Sequence, residues 1–178
     1  PAGSLSAKSQ DVPISELVPT HRQQRTTIVI NQALERFHYR KVSLNDDFAG
    51  QIFETYIDAL DPNRSFFLQR DVERFKRNVR RLDDDLTRGK LDSAFEIFRL
   101  YRQRVDERVK YALSLLEEGF DFDRDESYRF DRSEAKRVKT RTELDEIWRK
   151  RVKNDWLGLL LSKKEEDEIP ELLRKRYE

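Results

Sequence analysis

Residues 43–86 read SLNDDFAGQIFETYIDALDPNRSFFLQRDVERFKRNVRRLDDDL, and this stretch decides the fold class. In its first half Phe48, Ile52, Phe53, Tyr56, Ile57 and Leu60 recur at helical spacing, so one side of a helix has to be buried. In its second half Val72, Phe75, Val79, Leu82 and Leu86 alternate steps of three and four, the seam of a second helix lying antiparallel to the first. Asp61-Pro62-Asn63-Arg64-Ser65 between them is turn chemistry, because Pro62 fixes its own φ and moves Asp61 out of the helical region. Phe66, Phe67 and Leu68 follow at once, and three large apolar residues directly after a turn are expected to close the end of a core.

Outward from this hairpin the chain stays helical. Residues 1–19 have no periodicity and read as an extended leader, docked through Ile14, Leu17 and Val18. A first helix is expected from Thr20 to about Tyr39, with Thr27, Ile30, Leu34, Phe37 and His38 turned inward and Arg22, Arg25 and Arg36 outward. A basic amphipathic helix on a membrane surface is the alternative there, and Asn31, Gln32 and Glu35 argue against it by diluting the basic face. Ser43 to Asp46 has capping-box spacing for the next helix. The hairpin's second arm ends awkwardly, since Asp83, Asp84 and Asp85 put negative charge where a helix C-terminus disfavours it, before Gly89 supplies a left-handed stop.

A long helix is predicted from Asp92 or Ser93 to Glu118, stopped by Gly119, with Phe95, Phe98, Tyr101, Val105, Val109, Ala112 and Leu116 as its seam. At about 1.5 Å per residue it is roughly 40 Å long and outruns a compact core. Residues 120–141 lose all periodicity, and their Phe120, Phe122, Tyr128 and Phe130 mark an aromatic loop that folds back on the body and offers a contact surface. The next helix is expected at Thr142, capped with Asp145, carrying Leu144, Ile147, Trp148, Val152, Trp156 and Leu159. A last one begins near Asp167 with Pro170 in its first turn. The expectation is an all-α orthogonal or antiparallel bundle of five to six helices over residues 20–178.

Composition narrows the function classes. The 178 residues hold 36 Lys and Arg against 35 Asp and Glu, a net charge of +1, without the excess of a dedicated nucleic-acid binder. There is no cysteine, which removes thiolate zinc sites and cysteine nucleophiles. There is also no methionine, so a processed or excised piece is expected. The longest apolar run, around Leu157 to Leu161, is far short of a membrane span.

Each constellation with possible chemistry fails a strict requirement. Asp121-Phe122-Asp123-Arg124-Asp125 begins like a calcium loop, but Glu126 stands where the sharp turn needs glycine and Arg132 where the bidentate Glu belongs. His21 and His38 lack metal-ligand spacing. No glycine-rich phosphate loop or nucleophile elbow occurs, and Ser162-Lys163-Lys164 reads as a helix-end polar cluster. Arg74, Lys76, Arg77, Arg80 and Arg81 are interleaved with acids and read as a solvated face. No catalytic, cofactor-binding or metal-binding residue is assigned, and the residues by themselves describe an all-helical interaction domain.

An ordered series of short matches adds a family. His38-Tyr39-Arg40, Ile52-Phe53 with Tyr56, Leu60-Asp61, Asp71-Val72-Glu73 with Phe75 and Gly89-Lys90-Leu91-Asp92 form its first half. Tyr111-Ala112-Leu113-Ser114 with Leu116-Glu117, Asp131-Arg132-Ser133 and Arg176-Tyr177 form its second. Together they resemble the N-terminal domain of the bacterial tail-specific proteases, also called carboxyl-terminal processing proteases, of the S41 serine peptidase class. The resemblance implies a non-catalytic helical domain ahead of a PDZ domain and a Ser/Lys protease core, in an enzyme exported to the periplasm with its signal peptide removed. The implied partners are those downstream domains, protein substrates with apolar C-terminal tails, and a helical-repeat lipoprotein adaptor; no cofactor, nucleic acid or membrane insertion is implied. The departures lie in Asp61-Pro62-Asn63 and in residues 120–141. A stand-alone helical adaptor or envelope scaffold is the competing reading.

Overall fold

The computed structural model describes residues 12–37, 46–77, 79 and 82–178. Among them are seven α-helices and no strand: α1 (His21–Phe37), α2 (Asp46–Leu60), α3 (Gln69–Lys76), α4 (Leu82–Thr87), α5 (Asp92–Glu118), α6 (Arg141–Leu161) and α7 (Ile169–Tyr177). A short 3-10 turn at Ile14–Glu16 precedes them. The chain divides into two compact units, one of Pro1–Ile52 with Asn78–Gln103, the other of Phe53–Arg77 with Arg104–Glu178. Helix α5 contributes its first part to one unit and the remainder to the other, which is why it is longer than either core requires.

In the first unit α1 packs on α4. Asn31 is buried and its Nδ2 donates 2.6 Å to the carbonyl oxygen of Leu86, while Gln24, Thr27 and Ile28 share that inward side. Gly89 follows α4 with φ +69°, and a Cβ there would stand 2.7 Å from the Gln24 carbonyl oxygen. This close approach fixes which side of α1 faces in. Ile30, expected inside, is consequently 52% exposed, while the side chains of Leu34 and Phe37 and the whole of His38 fall outside what the structure describes. The leader is tied down at Leu17, whose carbonyl accepts 2.9 Å from Arg99 Nη1; Ile14 is half-buried with it and Val18 is exposed.

The hairpin's second arm is not one helix. It stops at Lys76 and a new helix starts at Leu82, which accounts for a seventh helix. Two effects favour the break: a continuous helix would set Arg77 and Arg81 one turn apart with like charge, and would hold Asp84 and Asp85 at a C-terminus. Restarting at Leu82 places Asp84 as the third residue of the new helix, where the dipole favours it. The cap at Ser43–Asn45 lies outside the described residues.

The second unit holds the main core. Leu68, Ala112, Leu115, Leu116, Leu144, Trp148, Val152, Trp156, Ile169 and Leu173 form one buried cluster. Phe53 and Ile57 from the expected α2 stripe are 2% and 1% exposed, and Phe67 and Leu68 are buried as the turn reading requires. Phe66 packs edge-on against Trp148 with centroids 5.5 Å apart. Gly119 terminates α5 with φ +77°. The α5 seam is rotated from the sequence reading: Val105 and Val109 are half-buried, while Arg104 and Arg108 occupy the buried row with Ala112. Their guanidinium groups are matched by carboxylates, which makes a buried row of arginine feasible. Helix α6 begins earlier than expected, because Thr140 with Glu143 forms the capping box and Asp145 is instead bound by Arg108.

Candidate functional site

The connection from 119 to 140 lies along α6 and is tied to it by aromatic and ionic contacts. Its entry is aromatic: Phe120 and Phe122 stand 5.8 and 6.5 Å from the Trp156 ring. Glu126 then points back into the protein. Its Oε1 accepts from Lys153 Nζ at 2.7 Å and from Arg149 Nη1 at 3.0 Å, and its Oε2 accepts from Arg149 Nη2. Arg149 also donates to both oxygens of Glu146 at 2.8 Å. The hydrogen bonds from Arg149, then those from Lys153, hold the Glu126 carboxyl down at about 2, against 4.5 for an ordinary glutamate.

An open depression of about 330 Å³ sits beside this cluster, lined by Phe122, Tyr128, Lys150, Lys153, Asn154 and Leu157 among others. Its chemistry is that of a structural clamp. The Lys153 ammonium, with a side chain 6% exposed, is held by Glu126 and lies over the Phe122 ring at 5.6 Å. Burial pushes the Tyr128 phenol above its ordinary value, so it remains a neutral hydroxyl. Beyond it the loop presents Phe130, 67% exposed, with Tyr128 packed edge-on at 5.1 Å.

The loop's far end is secured by Asp61, which is fully buried at the turn. Its Oδ1 accepts from the backbone N–H of Ser65 at 2.7 Å and of Phe66 at 3.3 Å; its Oδ2 accepts from that of Phe67 at 3.0 Å and from Arg137 Nη1. Arg64, in the left-handed region at φ 50°, donates 2.6 Å to the carbonyl oxygen of Ala135. Trp148 Nε1 donates 2.7 Å to the Ser65 carbonyl oxygen. Behind the turn Arg104 forks onto both oxygens of Asp71, at 3.0 and 3.1 Å, and reaches Glu107 at 2.8 Å.

The sequence-derived candidates separate under this geometry. Asp121, Asp123 and Asp125 are exposed; Asp121 accepts from the Asp123 backbone, and Glu126 turns away into its ion pairs. Among the described residues no group of three or more His, Asp or Glu could hold a metal ion. His21 is an exposed first residue of α1. Ser162 caps α6 and its Oγ donates 2.7 Å to the Gly158 carbonyl oxygen, the helix-end role read from sequence. Lys76 pairs with Glu54 in solvent, Arg74 lies over the Phe75 ring, and Arg77 is exposed; Arg80 and Arg81 lie outside the described residues.

Sequence reasoning read Asp61 only as a turn residue and passed over Arg104, Arg108 and Arg137, because isolated charged letters carry no sign of burial. The only available signal was the turn at Asp61, where an aspartate before proline is placed to accept from the amides that follow.

Comparison with known proteins follows the same residues. The model of the family described as Tail specific protease N-terminal domain matches residues 30–178. A curated relative, the tail-specific protease of Haemophilus influenzae, is 36% identical over 171 residues, covering 96% of this chain and 24% of its own length. The chain thus spans about a quarter of that relative. The helical body built around the Asp61 turn and the α6 clamp belongs to the tail-specific protease N-terminal domain family.

Proposed function

We propose that this chain is the non-catalytic scaffold and docking domain of a periplasmic, carboxyl-terminal processing serine endopeptidase. The observation that carries the reading is the family match over residues 30–178 on a relative four times longer, which leaves room for a PDZ domain and a Ser/Lys protease core beyond these residues. The use of charge supports it. Asp71 pairs with Arg104 between two helices, Asp61 with Arg137 between the turn and the 119–140 loop, and Glu126 with Lys153 between that loop and α6. Ion pairs of this kind fix the segments that carry them, as a scaffold requires. The 119–140 loop, rigidly seated yet displaying Phe130, is the surface on which the downstream domains, a helical-repeat lipoprotein adaptor or a protein substrate docks.

The test is a cleavage assay with a protein bearing an apolar C-terminal tail. The purified 178-residue chain leaves it intact while the full-length natural protein trims it. Cleavage by the purified chain overturns the reading.

A further inference from the structure

We infer that the part of the loop from Tyr128 to Lys139, with Arg151 of α6, binds an acidic polypeptide segment that carries apolar side chains among its carboxylates. This gives the docking surface named above the chemistry of its partner, and it rests on that reading. Residues 128–139 hold five basic residues against two acidic, the reverse of residues 121–126, so the loop's charge is split along its length. Arg129, Lys136 and Lys139 are exposed. Of the two acids, Asp131 already accepts from the amide and the hydroxyl of Ser133, at 2.9 and 2.6 Å, and Glu134 is an exposed carboxylate.

Two arginines mark the centre. In this unit the buried or half-buried Arg104, Arg108, Arg137, Arg149 and Arg174 each reach a carboxylate, and Arg64 reaches a carbonyl oxygen. Arg132 and Arg151 are half-buried as well, yet among the described residues neither guanidinium has a carboxylate or carbonyl partner. Arg132 Nε is buried without a hydrogen-bond partner, and the Arg132 backbone N–H donates 3.4 Å to Asn63 Oδ1, which seats the residue beside the Asp61 turn. Arg151 lies over the Trp148 ring at 4.6 Å. Asp155, one turn further along α6, is taken by the Tyr177 hydroxyl, which donates 2.6 Å to its Oδ2. Burial raises the Tyr128 phenol, and Arg151 and then Arg132 pull against that rise, so both positive charges bear on the same ring. A guanidinium taken partly out of water without a partner is costly, and an incoming carboxylate relieves that cost. Phe130, 67% exposed and braced edge-on by Tyr128 at 5.1 Å, stands between Arg129 and Asp131 as an apolar anchor. A single free C-terminus is captured by clustered backbone amides, whereas donors on side chains strung along an extended loop fit a run of carboxylates.

Fluorescence anisotropy tests this with a labelled short peptide that alternates glutamate with leucine and is amidated at its C-terminus. The full-length natural protein and the purified 178-residue chain both bind it at low salt. Added salt weakens the binding, and the same peptide with glutamine for glutamate does not bind. R132Q and R151Q each weaken it about fivefold, and F130S weakens it as well. K136E weakens it, whereas K90E, an equal change of net charge at an exposed residue of the other unit, leaves it unaltered. Circular dichroism of R151Q, K136E and F130S matches the parent, so these three carry the test even where R132Q disturbs the turn. Failure of both proteins to bind the glutamate peptide overturns the inference, and so does undiminished binding by R151Q or equal weakening by K136E and K90E. Binding seen only when the peptide's C-terminus is left free overturns it too, since the site then takes a chain end. Binding by the 178-residue chain alone overturns it because the surface is then covered by the rest of the full-length protein. None of these results bears on the cleavage assay above.

Discussion

The carboxylate of Asp61 and the guanidinium of Arg137 form an ion pair across 76 residues of sequence, with the aspartate fully buried and the arginine side chain 11% exposed. The pair joins the turn after α2 to the end of the 119–140 loop, so each segment limits the other. Removing one partner strands the other charge. Asp61→Ala is expected to destabilise by about 3 to 5 kcal/mol, with the loss of three backbone amide contacts included. Pairing it with Arg137→Met in a double-mutant cycle, read by urea denaturation, is expected to return a coupling of more than about 1 kcal/mol. Additive losses would show that the two residues act independently.

Glu126 makes stability depend on acid. Its folded value of about 2 lies below the ordinary 4.5, so the unfolded chain binds more protons through that interval and stability rises with pH across it. The contribution is fully present above about pH 4.5 and disappears as pH falls toward 2. Glu146, lowered chiefly by the same Arg149, adds in the same direction. Melting temperatures recorded from pH 6 down to pH 2 (an interval of about four units chosen to span this window) are expected to fall less steeply for Glu126→Gln than for the parent.

Two glycines with similar backbone should respond differently. A Cβ at Gly89 meets the Gln24 carbonyl oxygen at 2.7 Å and Ile28 at 2.8 Å, whereas one at Gly119 has nothing within 4 Å. Both Ala variants carry the left-handed penalty of about 1 to 2 kcal/mol. Gly89→Ala is expected to lose clearly more, because the clash is with backbone. Equal melting temperatures would show that α1 yields without loss.

The start of α6 offers a local test. Thr140 Oγ1 accepts from the Glu143 amide at 3.2 Å, and Glu143 returns the bond to the Thr140 amide at 2.9 Å. Thr140→Ala is expected to cost about 1 kcal/mol. Thr142→Ala, already inside the helix and exposed, is expected to stay within about 0.5 kcal/mol of the parent. Chemical denaturation of the two variants ranks them, and the reverse order would return the helix start to Thr142.

The α2 stripe, the limits of α5 at Asp92 and Glu118, and the glycine stops were legible in the letters, since helical periodicity and capping chemistry are written over a few neighbouring residues. The facing of α1 was not. Ile30 and Asn31 exchanged places because the approach of Gly89 to Gln24, more than sixty positions apart in the chain, decides which side is covered, and no local pattern carries that distance. The break after Lys76 and the shift of the α6 start turned on alternatives of similar local energy. Asp145 could have capped a helix until Arg108 claimed it.

The sequence by itself determined that the chain is helical, where most helices begin and end, and, through its ordered matches, its kinship with the tail-specific protease N-terminal domain. Only the tertiary structure decided which charges are buried, which loop is clamped and which side of α1 meets solvent. Helix formation is governed by contacts within one or two turns. The burial of Asp61, Arg104 and Lys153 instead depends on partners brought from distant positions, and an ion is tolerated inside a protein only where such a partner arrives.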